Sequence, residues 1–214
     1  MLLVMGRLMK KAIEHLKKSD PVMAAIVARV GAYRPRHATP DFHNLARSIA
    51  YQQLHGKAAA TIFGRLCTAS GCEPLTPETV LALSIEQMRA CGLSKQKLAY
   101  IRDLAEKTLS GDVNFAQLPT MEDEDVIEHL TRVKGIGRWS AQMFLMFALG
   151  RPDVMPTVDL GINMAIKKAY NKRKVPKPKD ILKLSEKWRP YRSVACWYLW
   201  RSVEVAPPEN NANK

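Results

Sequence analysis

Val133-Lys134-Gly135-Ile136-Gly137-Arg138-Trp139-Ser140-Ala141, followed by Pro156-Thr157-Val158-Asp159-Leu160-Gly161, is where this chain's residue types and spacing could do chemistry. Two glycines around one apolar residue make a tight hairpin whose bare backbone can approach a phosphate, and the amides opening the next helix then face that anion. Lys134, Gly135, Gly137, Arg138 and Ser140 are the candidate anion contacts. The carbonyls of Thr131, Val133 and Ile136 can also converge on a monovalent cation, Na+ or K+, that bridges to a phosphate. Asp159 is the candidate catalytic group. A carboxylate beside a sugar can stabilise an oxocarbenium-like transition state or activate water. Asp directly before Leu160-Gly161-Ile162 is also what a helix N-cap prefers, and the two roles are compatible.

Elements must hold these groups in place, and their punctuation is helical throughout. Ser19-Asp20-Pro21, Thr39-Pro40-Asp41, Ser84 with Gln87, Ser94, Thr120 before the acidic run Glu122 to Asp125, and Asp159 all read as helix starts. Apolar residues recur at helical spacing, as in Leu98, Ile101, Leu104, Ala105 and Leu109. No alternating pattern is long enough for a strand. The expected fold is all-α, with roughly ten helices. Helices end at the glycine hairpin and restart at Gly137, and Trp188 to Val205 forms the last strong run, restarted at Pro190. Asn171 to Lys179, rich in Lys and Pro, reads as an exposed loop near phosphates or else a solvated surface loop, and 206–214 as a frayed tail.

The 214 residues carry 33 Lys+Arg against 20 Asp+Glu, a formal net charge of +13, with a pI of about 9.7. That excess favours a polyanionic partner, because each neutralised phosphate releases counterions. Cys67, Cys72, Cys91 and Cys196 lack the paired spacing of a zinc or iron–sulfur site and read as buried apolar residues in a reducing compartment. Met1 to Met9 is apolar but is followed by Lys10 and Lys11, the reverse of a signal peptide's charge order. No stretch approaches a membrane span. The chain reads as soluble and intracellular, in the cytoplasm or nucleoid of a prokaryote or the nucleus of a eukaryote, with no membrane partner.

The segment from Thr131 to Gly161 resembles the helix–hairpin–helix, Gly/Pro-rich loop and catalytic aspartate of the helix–hairpin–helix DNA glycosylase superfamily. Ser48 to Ala59, containing Gln52-Gln53-Leu54-His55, is similar to the lesion-probing segment of its alkyladenine branch, the 3-methyladenine DNA glycosylase II type. Trp188-Arg189-Pro190-Tyr191-Arg192-Ser193, with Trp197 and Trp200, resembles the closing helix of that branch. The three blocks cover nearly the whole chain, in the compact form that yeasts use, with no counterpart to the amino-terminal β-domain of the bacterial enzymes.

The resemblance implies two helical subdomains flanking an active-site cleft, 1–38 with 125–214 and 39–124, the hairpin 131–141 and Asp159 lying at the cleft. Asp159 is then the catalytic carboxylate. Gln53, with Leu54, fills the gap left by a flipped nucleotide, and His55 contacts the minor groove. Trp139, Met143 and Trp200 line the base pocket, although an aromatic is expected where Met143 stands. Bifunctional members carry a lysine at the position of Trp139 for Schiff-base chemistry, so a monofunctional enzyme is implied. The four-cysteine cluster of other branches is absent after Trp200.

The implied activity is excision of N-alkylated purines from double-stranded DNA by base flipping and N-glycosidic hydrolysis. The implied enzyme is a monomer with no required cofactor. A non-catalytic damage sensor or DNA-bending protein would share the hairpin and the charge, but would not use Asp159.

Overall fold

The computed structural model describes residues 2–54 and 56–204, with side chains from residue 8 onward. Among the described residues twelve α-helices run in order: α1 Leu2–Ser19, α2 Pro21–Val30, α3 Phe42–Tyr51, α4 Gly56–Ser70, α5 Pro77–Ala82, α6 Ile85–Ala90, α7 Lys95–Leu109, α8 Asp123–Thr131, α9 Arg138–Phe147, α10 Leu160–Ala169, α11 Pro178–Ser185 and α12 Arg192–Glu204. Short 3-10 turns occupy Leu118–Thr120 and Glu186–Trp188, and the described residues contain no strand. The all-α expectation holds. The two additional helices are short ones the periodicity did not separate. α5 is set by a Thr76 cap, and α11 takes Pro178 at its first turn, so the Lys/Pro loop ends as a helix start. The last helical run, read from Trp188 with a restart at Pro190, is a 3-10 turn followed by α12, and its expected end at Val205 and the tail 206–214 lie outside the described residues.

The chain forms two compact units, residues 37–150 and residues 1–36 with 151–214. In the first, α7 is the spine against which α3, α5 and α6 pack, and α8 packs on α9. Leu45, Ile49, Leu66, Ile101 and Leu104 are buried there, each contributing about 1.5–3 kcal/mol of apolar burial. The hairpin helices group with this unit, whereas the sequence set 125–214 with the amino-terminal helices. The reason is a set of bonds between segments far apart in sequence. His129 Nε2 accepts the Asn114 amide at 3.0 Å, and Asp103 Oδ2 accepts the Lys134 amide at 2.8 Å.

In the second unit α10 packs on α12, and α2 packs on both α1 and α12, around Leu16, Met23, Trp188 and Tyr198. Asp20 ties it together from a fully buried position. Its carboxylate caps α2 through the amides of Val22 and Met23 and accepts Trp188 Nε1 at 2.9 Å. It also accepts the Tyr170 hydroxyl and pairs with Lys187 Nζ at 2.9 Å. Burial pushes the pKa of this carboxyl up, but hydrogen bonds from Tyr170, Trp188 and Lys187 outweigh that and hold it below the ordinary aspartate value.

Candidate active site

The hairpin between α8 and α9 is a turn over Val133–Ile136, closed by the Ile136 amide on the Val133 carbonyl at 3.1 Å. Gly135 has φ +80° in the third position of that turn, where glycine is favoured. Glycine is required there for a second reason. A Cβ would lie 2.0 Å from Cδ2 of Tyr100. Val133 and Ile136 are buried and anchor the turn. Gly137 has φ −93° and would meet nothing within 4 Å if it carried a Cβ. Neither conformation nor internal packing demands glycine at that position; the open space faces outward, where a ligand's backbone can come close. No side chain caps α9, so its first amides point the same way.

Two basic residues of the hairpin have internal partners. Arg138 forms a two-bonded ion pair with Glu124, at 2.8 and 2.5 Å, and its hydrogen bonds hold Glu124 below the usual carboxylate range. Both side chains are more than half exposed, so the pair is screened and exchangeable for a phosphate. Lys134 Nζ lies 3.3 Å from Asp103, whose Oδ1 also takes Lys107 Nζ at 2.8 Å. Burial raises the Asp103 carboxyl, but hydrogen bonds from Lys107 and Lys134 outweigh this and lower it. Asp103 thus fixes the hairpin from beneath. No sequence signal marks it, since its partner Lys134 lies 31 residues on.

The segment expected to probe for lesions is a turn at the end of α3. The Leu54 amide donates to the Tyr51 carbonyl at 3.3 Å, and Gln53 projects at the third turn position with φ +57°. Glycine or asparagine is the usual residue for that conformation, which costs an L-residue roughly 1–2 kcal/mol. Gln53 and Leu54 are both exposed. His55 lies outside the described residues. Gln52 turns inward and donates Nε2 to the Gly135 carbonyl at 3.0 Å, linking the probe turn to the hairpin. Lys97 Nζ donates to the Ala50 carbonyl at 2.8 Å, holding the last turn of α3. Neither link was legible from spacing.

A cavity of about 590 Å³ opens between these features, with Tyr51, Gln53, Tyr100, Trp139 and Met143 in its lining. Trp139 is 44% exposed, which separates it from a core tryptophan such as Trp188 at 0%. Trp139 and Met143, one helical turn apart on α9, therefore share one pocket.

Asp159 and Trp200 belong to the other unit. Asp159 is buried at the N-cap of α10, where Oδ1 accepts the Ile162 amide at 2.7 Å. The same oxygen accepts Trp200 Nε1 from α12 at 2.9 Å. Trp200 therefore orients the carboxylate, a task the sequence did not reveal. Gly161 leaves room for this bond: a Cβ there would stand 3.0 Å from Trp200 Cδ1 and 3.2 Å from Asp159 Oδ1. The approach to Asp159 is fixed by Arg192 and Ser193. Arg192 is paired with Asp153 at 2.7 Å, and Ser193 accepts the Val154 amide while donating to the Arg151 carbonyl. Burial, and then the charge of Asp159, push the neighbouring Cys196 thiol up, so Cys196 stays a neutral packing residue.

A backbone hairpin open to phosphate, an exposed probe turn, an aromatic pocket and a buried, oriented carboxylate define a protein that works on nucleic acid. Residues 46–190 match the model of the HhH-GPD superfamily of base excision DNA repair proteins, and the chain belongs to that superfamily. It is 40% identical over 202 residues to DNA-3-methyladenine glycosylase 1 of Schizosaccharomyces pombe, covering 92% of this chain and 88% of that one. The fold matches the S. pombe 3-methyladenine DNA glycosylase in complex with abasic DNA at a TM-score of 0.80 and 39% identity, over 92% of this chain and 98% of that one. A Bacillus halodurans DNA-3-methyladenine glycosidase superposes at 0.79 with 37% identity, covering 89% and 88% of the two chains.

Proposed function

We propose that this protein is a monofunctional DNA-3-methyladenine glycosylase that flips alkylated purines out of duplex DNA and hydrolyses their N-glycosidic bonds. The observation that carries the reading is Asp159, a buried carboxylate gripped through Oδ1 by a backbone amide and an indole. The hairpin amides and Lys134, Arg138 and Ser140 hold phosphates. The carbonyls of Thr131, Val133 and Ile136 suit a monovalent cation, being neutral oxygen donors. Carbonyls have two lone pairs, so the Ile136 bond to Val133 leaves that ligation open.

Gln53 fills the vacated stack. The extruded base enters the aromatic pocket, with Trp139 and Met143 in its wall. N-alkylated purines such as 3-methyladenine and 7-methylguanine are cationic, and an aromatic face attracts a cation by about 0.5–2 kcal/mol. A positive base is already a good leaving group and needs no general acid. Asp159 stabilises the charge that develops on the deoxyribose while water attacks. Neutral lesions such as hypoxanthine are therefore the poorer substrates. Trp139 offers no amine, so borohydride traps no covalent DNA adduct. The enzyme acts as a monomer inside the cell, in the nucleoid or nucleus. No described helix is long and apolar enough to cross a membrane.

The decisive experiment is chromatography of bases released from methylated duplex, with Asp159→Asn alongside. Asparagine caps a helix about as well as aspartate and keeps an acceptor for Ile162 and Trp200, so the fold should persist. Wild type should release 3-methyladenine or 7-methylguanine, and the variant at least 100-fold less. Tight duplex binding without release by the wild type would favour a non-catalytic sensor.

A further inference from the structure

The net charge of this chain is unevenly divided between its two units. Residues 1–36 and 151–214 contain 22 Lys+Arg against eight Asp+Glu, a net of +14, while residues 37–150 contain 11 against 12, a net of −1. The unit that carries the hairpin and the probe turn is therefore close to neutral, and it supplies little long-range attraction for DNA. Half of the excess sits in one continuous segment. Residues 167–187 hold nine Lys or Arg against only Asp180 and Glu186.

We infer that this segment, the carboxyl end of α10 with the loop to α11 and α11 itself, is a second DNA-backbone surface separate from the lesion site. Helix-end effects explain part of the charge, since Lys167 and Lys168 complement the carboxyl terminus of α10. They do not explain Lys172, Arg173 and Lys174, which lie beyond the helix in an exposed loop. Of the acidic residues in the segment, Glu186 pairs with Arg189, and Asp180 accepts the backbone amide of Lys177. Lys187 is taken by Asp20. Among the described residues, Lys172, Arg173, Lys174 and Lys183 form no ion pair. Two shallow grooves meet at Lys172, one lined by Lys183 and Lys187 together with Asp180 and Glu186, the other by Lys167 and Lys168 with no carboxylate. In the groove of Lys167, Lys168 and Lys172 these like charges repel one another unless an anion is present.

The surface is set apart from the reaction by α10 itself. Asp159 caps the amino end of that ten-residue helix, and Lys167 and Lys168 lie in its last turn, about 12–14 Å along the axis. The segment therefore contacts phosphates other than those of the extruded nucleotide. Such contacts are sequence-independent and raise non-specific affinity and encounter rate, which a search for rare lesions requires. The inference rests on the proposed function only for the identity of the polyanion as DNA.

The test is a charge-neutralised variant, Lys172→Gln, Arg173→Gln, Lys174→Gln and Lys183→Gln together. All four positions are exposed, so the variant should fold. Affinity for an undamaged 30-base-pair duplex is measured from 50 to 200 mM salt. Each phosphate that the variant no longer neutralises makes the log–log slope shallower by about 0.9. The expected result is a slope shallower by about 2 or more, with at least ten-fold weaker binding at 50 mM. Single-turnover excision at saturating protein should stay within two-fold of wild type. A slope within 0.5 of wild type overturns the inference. Loss of binding to vesicles containing phosphatidylserine, with duplex binding intact, also overturns it, in favour of a membrane surface. If the slope changes as expected but wild type releases no base, the surface stands and the proposed activity falls.

Discussion

Replacing Gln53 by glycine should move stability and activity in opposite directions. Gln53 holds φ +57° at a turn position suited to glycine. Relieving that conformation returns roughly 1–2 kcal/mol, and the greater freedom of glycine in the unfolded chain takes back about 0.5–1 kcal/mol. The variant should be as stable as wild type or more so by up to about 1.5 kcal/mol, and for a chain of this size each 1 kcal/mol raises Tm by about 2–4 °C. Activity should fall, because the side chain proposed to occupy the vacated stack is gone. Extruding a nucleotide costs a few kcal/mol; if the side chain offsets about 2 kcal/mol of this, excision slows by about 30-fold. The loss should be confined to duplex, since an unpaired strand leaves no gap to fill. The assay is single-turnover release of 3-methyladenine from the same strand, paired and unpaired, beside thermal unfolding. Equal losses on both substrates would refute the gap-filling role. A lower Tm would refute the reading of the turn as strained.

Three further outcomes follow from the geometry of the hairpin and its supports. Gly135→Ala places a methyl group within 2.0 Å of Tyr100 at φ +80°, and overpacking with an unfavourable backbone should cost about 3 kcal/mol in denaturant unfolding. Asp103→Asn removes the charge between Lys107 and Lys134 and should cost about 2 kcal/mol, weakening duplex binding as the hairpin loosens. The native Asp103 carboxyl is lowered, so its stabilisation is complete above about pH 4 and disappears as pH falls through the native value; urea unfolding from pH 6 to pH 2 should show less acid sensitivity in the variant. His129 is lowered by burial and by Arg132. The unfolded chain therefore takes up its proton first, and stability should decline as pH drops below about 6.5, an effect that His129→Gln should remove.

The glycine hairpin, the helix starts and the candidate catalytic residue were legible from sequence because each depends on local chemistry. A glycine–apolar–glycine turn, an aspartate before an apolar helix and an apolar stripe at helical spacing are determined by neighbours within a few residues. The short helices α5 and α11 escaped because six or eight residues carry too little periodicity to stand out from capped loops.

Tertiary structure alone decided how the site is held. Asp103 meets Lys134, Gln52 meets Gly135 and Trp200 meets Asp159 across 31, 83 and 41 residues of sequence. No local pattern encodes such pairs, because they arise when helices pack and each buried polar group must find a partner. The division of charge between the two units has the same origin. Composition set a net +13, but only the fold determined which residues share a unit, and therefore that the hairpin's own unit is nearly neutral.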